Sequence, residues 1–185
     1  MAKTYNSIPT VSTGDVYTAT AHNNIVENSN NYRVPPMVKV GRNGSNQSIT
    51  PGASAYVQWN NASAAYDTDG MWSSGSNTRL TVQTPGIYAA TWGIFVGWTG
   101  VSFSCELNLT HTTSGGTETT IAQDFWYLNN DNAVFSYSST ITGYFPCVAG
   151  DYFRAKWANQ VNGTSTVVGG AAVSFFSATW LGQAS

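Results

Sequence analysis

From Tyr88 to Trp98 the chain alternates with period two. Tyr88, Ala90, Trp92, Ile94, Val96 and Trp98 share one face of an extended strand, and Ala89, Thr91, Gly93, Phe95 and Gly97 share the other. The second face is small and mostly apolar, so both faces are expected to be covered, one by a core and one by a subunit interface. Val101, Phe103, Cys105, Leu107 and Leu109 then alternate cleanly, and Gly115-Gly116 predicts a hairpin tip between His111 and Glu118. Further strands are predicted over 119–128, 133–145, 151–158 and 166–181. Turns are predicted at Asn129-Asn130-Asp131-Asn132 and Asn162-Gly163. Short strands separated by such turns imply a β-sandwich or jelly roll.

Only one stretch has helical periodicity. Thr18, Ala21, Ile25, Asn28 and Tyr32 recur at spacings of three and four, Thr18 or Thr20 can cap the start, and Val34-Pro35-Pro36 ends the segment. The helix is too short and too polar to be stable alone, so it must pack on something. The division expected is an N-terminal arm over residues 1–37 and one β domain over 38–185.

Composition narrows the function. Of 185 residues 42% are hydrophobic, yet only 9% are charged, against the usual quarter or so. A surface this poor in charge suits a chain largely covered by its own copies or by a larger assembly. Seven Trp, ten Tyr and eight Phe point the same way. Net charge is −2 with no Lys/Arg run, which argues against nucleic acid as partner. Met1-Ala2-Lys3-Thr4-Tyr5 has no apolar signal-peptide core, and no run approaches membrane-spanning length. Folding in a bacterial cytoplasm, without a membrane partner, is the expectation.

Catalytic and metal chemistry find little support. The two histidines, His22 and His111, accompany no nucleophile-elbow serine and read as exposed polar residues. Cys105 and Cys147 lack metal spacing and read as two buried thiols, with a mutual disulfide as the alternative. Asp67-Thr68-Asp69-Gly70 contains part of a calcium loop without its terminal Glu, and reads as a turn. No enzyme activity, cofactor or metal is expected.

Four landmarks carry a resemblance. Trp59-Asn60 with Tyr66-Asp67-Thr68-Asp69-Gly70, then Thr84-Pro85-Gly86-Ile87-Tyr88, then Ala149-Gly150-Asp151, then Ser174 to Gly182 stand in the order seen in one family. Over 38–185 the chain resembles the jelly roll of the complement globular head and tumour necrosis factor, although Ala178 stands where that family usually has glycine. The resemblance implies an all-β jelly-roll sandwich of about ten strands that forms homotrimers around an aromatic-rich axis. Tyr88, Phe95, Phe175 and Phe176 are the interface residues expected on that basis.

The arm resembles a recurring N-terminal segment of tailed-bacteriophage virion proteins. Thr13-Gly14-Asp15-Val16-Tyr17-Thr18-Ala19 supplies the turn, and Asn23-Asn24-Ile25-Val26 with Asn28-Ser29-Asn30-Asn31-Tyr32 supplies the Asn-rich helix and exit. What this implies is a virion structural protein, a capsid decoration or minor capsid (head fibre) protein. Ile8, Val16, Tyr17, Ala21, Ile25 and Tyr32 would attach it to a major capsid or tail protein. The alternative is the receptor-binding tip of a tail fibre, with Trp126 and Tyr127 facing a host-surface glycan.

Overall fold

The computed structural model describes residues 2–3, 5–8, 10, 12–42, 45–60, 64–159, 165–168 and 174–184, with side chains placed for all of these but 98–103, 126 and 128–136. In chain order the elements are α1 (Ala19–Arg33), β1 (Met37–Gly41), β2 (Gln47–Ile49), β3 (Ser54–Tyr56), β4 (Tyr66–Asp67), β5 (Leu80–Thr81), β6 (Gly86–Thr112), β7 (Glu118–Cys147), β8 (Tyr152–Asn159), β9 (Ser165–Val167) and β10 (Phe175–Gly182). All strand pairings are antiparallel.

The two long strands build a jelly-roll sandwich because each serves both layers. The first part of β6 pairs with β10 on one side (Trp92 opposite Phe176) and with β7 on the other (Gly86 opposite Cys147). Beyond β10 lie β1 and β4, giving the order β4-β1-β10-β6-β7. The last part of β6, from Cys105 to Thr112, pairs instead with β8, which also carries β3 and β5. The strands change layer at a bulge, where the register jumps from Gly100–Ala133 to Ser102–Asn129. An extra segment on one strand bends it and increases its twist.

That bulge corrects one expectation. Asn129 to Asn132 do not close a turn; Asn129 pairs opposite Ser102, and 130–132 are the surplus residues of a continuous β7. Asn-rich sequence also suits irregular backbone within a ladder, so composition alone does not separate the two. The stretch 166–181, in which Gly169-Gly170 reads as a turn or bulge that lies outside the described residues, holds β9 and β10, and the Ser174 hydroxyl donates to Val168 O and accepts from Phe95 N. The turn expected at Asn162-Gly163 lies outside the described residues.

Between the layers sits one apolar cluster. Trp59, Trp92, Trp157, Tyr88, Phe153 and Phe176 are its largest fully buried members. Trp59 meets Phe176 with ring centroids 5.5 Å apart, and Tyr88 meets Phe153 at 6.2 Å. Tyr88 and Phe176 are therefore core residues, which corrects their assignment to a subunit interface. Alternation groups residues by face but does not say which face turns inward. Tyr88 still finds a partner for its phenol, donating to Thr84 O at 2.7 Å. Both cysteines are free and buried, and burial pushes each thiol up to about 12.

Candidate functional site

The arm is held against the body by its own sequence. Thr18 caps α1 by accepting from Ala21 N at 3.2 Å, and Val34 ends it with a bond to Asn30 O. Arg33 in the last turn complements the negative end of the helix dipole. The residues before α1 run back along it. Asn6 and Asn28 exchange two 2.8 Å bonds, Asn6 N donating to Asn28 Oδ1 and Asn28 Nδ2 to Asn6 O, while Asn24 donates to Ser7 O.

An aromatic stack then ties helix, arm and closing strand together. Tyr5 lies flat on Trp180 at 4.7 Å between centroids, and Tyr32 touches both rings at 5.3 and 5.4 Å. Trp180 is itself anchored by donating from its indole to Pro85 O. Lys3 completes the clasp, its backbone N–H donating to the Thr84 hydroxyl at 2.6 Å. No local pattern pairs Tyr5 with Trp180, because 175 residues separate these ring partners and they share no motif.

Below this clasp lies Asp69, 1% exposed, with neither carboxylate oxygen within hydrogen-bond geometry of a donor. Thr84 faces it, but its hydroxyl is engaged by the Lys3 backbone. Burial raises the Asp69 pKa, and Thr84 and Lys3 only partly offset this. The folded state therefore binds this proton more tightly than the unfolded chain does. Stability from this group is greatest below the ordinary carboxylate range and is lost as pH rises through the raised folded value. Asp69→Asn should raise thermal stability at neutral pH by about 1 kcal/mol, with the advantage shrinking toward acid. Melting temperatures of both chains across pH check this. By contrast Asp67 is filled: its carboxylate accepts from the N–H groups of Asp69, Met71 and Trp72, so it builds a turn.

The expected attachment residues cluster beside the helix start. Ile8, Val16, Tyr17, Ala21 and Ile25 line a groove of about 300 Å³ with Thr10, Asp15 and Thr18. Val16 is 85% exposed, and Tyr17, Ile8 and Ile25 are exposed too, with Ala21 buried at the floor. Tyr32 is exposed but belongs to the Trp180 stack rather than to this groove.

The two outer faces of the sandwich differ in charge. On the first layer, paired positions place Met37, Lys39, Phe175, Ser177, Thr179, Ala89, Thr91, Phe95, Ser138, Thr140, Thr142 and Tyr144 on one surface. Lys39 is the one charged side chain among them, and its ammonium sits 4.7 Å from the centre of the Phe175 ring. Phe95 and Phe175 are half-buried there, with Phe175 lying over Gly93, where even a Cβ would meet the ring at 2.5 Å. The second layer instead shows Glu106, Glu118, Arg154 and Lys156. Glu118 accepts from Tyr56 at 2.8 Å and pairs with Arg154, whose guanidinium stacks on Tyr56 and Tyr152. A depletion of charge marks the first face as the one suited to contact, and the second as a solvated one.

Of the two expected ligand-facing aromatics, Tyr127 is 57% exposed, whereas the Trp126 side chain lies outside those described. Phe125 is 56% exposed beside Tyr127 on β7. His111 corrects another expectation: it is buried, stacked on Phe145 at 4.1 Å and hydrogen-bonded to Asp151 at 3.0 Å. Its strand position was legible, but not that β8 and the turn before it would cover it.

No protein-family model and no curated protein matches the chain. Solved structures do resemble it. Two crystal structures of murine APRIL, at pH 8.5 and pH 5.0, superpose with TM-scores of 0.57 and 0.59 at 13% and 14% identity. A third, at pH 8.0, gives 0.55 at 16% identity. Each match covers 79% of this chain and 98% of the other. At that identity the likeness establishes the fold, a tumour-necrosis-factor-like jelly roll.

Proposed function

We propose that this chain is a non-enzymatic structural protein of a tailed-bacteriophage virion, a homotrimeric capsid decoration or minor capsid (head fibre) protein anchored through its N-terminal arm. The observation that carries the reading is the solvent-facing apolar groove of Ile8, Val16, Tyr17 and Ile25, fixed to the jelly roll through the Tyr5–Trp180–Tyr32 stack. An exposed apolar surface on a chain of 9% charge is costly in water and is relieved by a partner. The nearly charge-free outer face of the first layer is the surface offered for trimerisation, with Phe95 and Phe175 at its centre. Three arms on one head then bind with avidity, so each contact to a capsid or tail protein can be weak.

Incorporation into particles tests the arm. Chains carrying Val16→Asp and Ile25→Asp should fold and trimerise yet be absent from purified virions, as scored by immunoblot. Normal incorporation would refute the attachment role.

A second reading, a tail-fibre tip that binds host-surface carbohydrate, is favoured by one observation: Phe125 and Tyr127 stand exposed side by side on β7. Aromatic rings bind sugars through stacked apolar faces. Saturable binding of the purified chain to host wall polymer, lost in Tyr127→Ala, supports this reading; no binding across such polymers eliminates it.

A further inference from the structure

We propose that His111, Cys147 and Asp151 form a buried binding site for one divalent transition metal of the zinc class. The chain has only two histidines and two cysteines, and one of each converges here with a carboxylate. Their ligand atoms all lie within 4.8 Å of one another, and all three residues are at most 4% exposed. Cys147 and Asp151 stand four residues apart, at the end of β7 and in the turn that opens β8, and His111 joins them from the distant end of β6.

The surroundings pre-orient the ligands. Asp151 Oδ1 accepts from Ser114 N at 2.9 Å, and Oδ2 accepts from Val148 N at 3.1 Å and contacts His111 Nε2 at 3.0 Å. Backbone donors of this kind fix a carboxylate as an outer shell does in metal centres. The His111 ring is clamped between Phe145 and Phe153, which sets its plane. Cys147 makes only a 3.5 Å contact to Phe145 O, a weak bond that a metal readily displaces. Sulfur, nitrogen and oxygen together match a borderline-soft ion that accepts tetrahedral geometry, with water as fourth ligand. Calcium and magnesium, which demand oxygen, do not fit.

Access is available because Cys147 and Val148 also line a cavity of about 410 Å³ bounded by Lys3, Tyr5 and the strand start at Gly86. On binding, the His111–Asp151 hydrogen bond gives way to bonds from both residues to the ion, the Cys147 S–H bond breaks, its proton leaves to water, and a sulfur–metal bond forms. No redox change is involved. The bound ion would tie the end of β6 at His111 to the end of β7 at Cys147 and the turn that opens β8.

Cobalt(II) serves as the spectroscopic probe. Titrating the reduced full chain with cobalt chloride should produce a sulfur-to-cobalt charge-transfer band that saturates at one ion per chain. Excess zinc should remove that band. Cys147→Ser should abolish it and Cys105→Ser should leave it intact. Absence of the band in the unaltered chain overturns the proposal, whatever the folding of the variants. So does a band that survives Cys147→Ser or disappears with Cys105→Ser.

Discussion

Ser177→Arg is expected to convert the proposed trimer into folded monomers, with the mass seen by native mass spectrometry falling from that of three chains to that of one. Ser177 sits in the middle of the first layer's outer face, opposite Lys39 on β1 and Thr91 on β6. Its hydroxyl donates to Thr91 O, and the residue is half-buried in the single chain, so the larger side chain can point to solvent there. In the trimer the same guanidinium would be enclosed beside Lys39. An uncompensated buried charge costs about 3–5 kcal/mol, and the trimer would carry three. Far-UV circular dichroism should be unchanged. A variant that remains trimeric would move the interface to another surface.

Trp180→Ala is expected to destabilise the chain by about 3–5 kcal/mol, the range for truncating a large buried aromatic. The indole is 4% exposed, bonds Pro85 O, and carries both Tyr5 and Tyr32. Its loss opens a cavity and unclasps the arm. Hydrogen exchange should therefore rise in residues 5–8 and along α1 ahead of the β domain. Tyr5→Ala separates the two effects: it should release the arm with a smaller fall in the denaturation midpoint. If Trp180→Ala left exchange in the arm unchanged, the stack would not be what holds it.

Local pattern made part of this structure legible. The alternation of Tyr88, Ala90, Trp92, Ile94 and Val96 is the inward face of β6, and Thr18 with Val34-Pro35 bounds the helix. What stayed illegible depends on neighbours distant in the chain. Phe175 and Phe176 are adjacent in sequence, and only the pairing of β10 with β1 and β6 decides that Phe176 turns inward and Phe175 outward. Cys147 and Asp151 are four residues apart, but His111 reaches them only because the fold sets the end of β6 beside the turn that opens β8. Likewise Asn129 to Asn132 carry turn chemistry, yet the layer crossing uses them as a bulge.

The position of β10 has a consequence for the order of events during synthesis. It lies between β1 and β6, and its partners reach back as far as Met37 opposite Thr179. Until residues 175–182 have left the ribosome, the facing edges of β1 and β6 have no partner and the first layer is split. Such long-range pairing closes slowly, and its open edges invite other strands. A chain stopped short of Phe175 thus cannot complete the surface on which copies would meet. Closure of the first layer, and with it the surface proposed for assembly, therefore waits on β10.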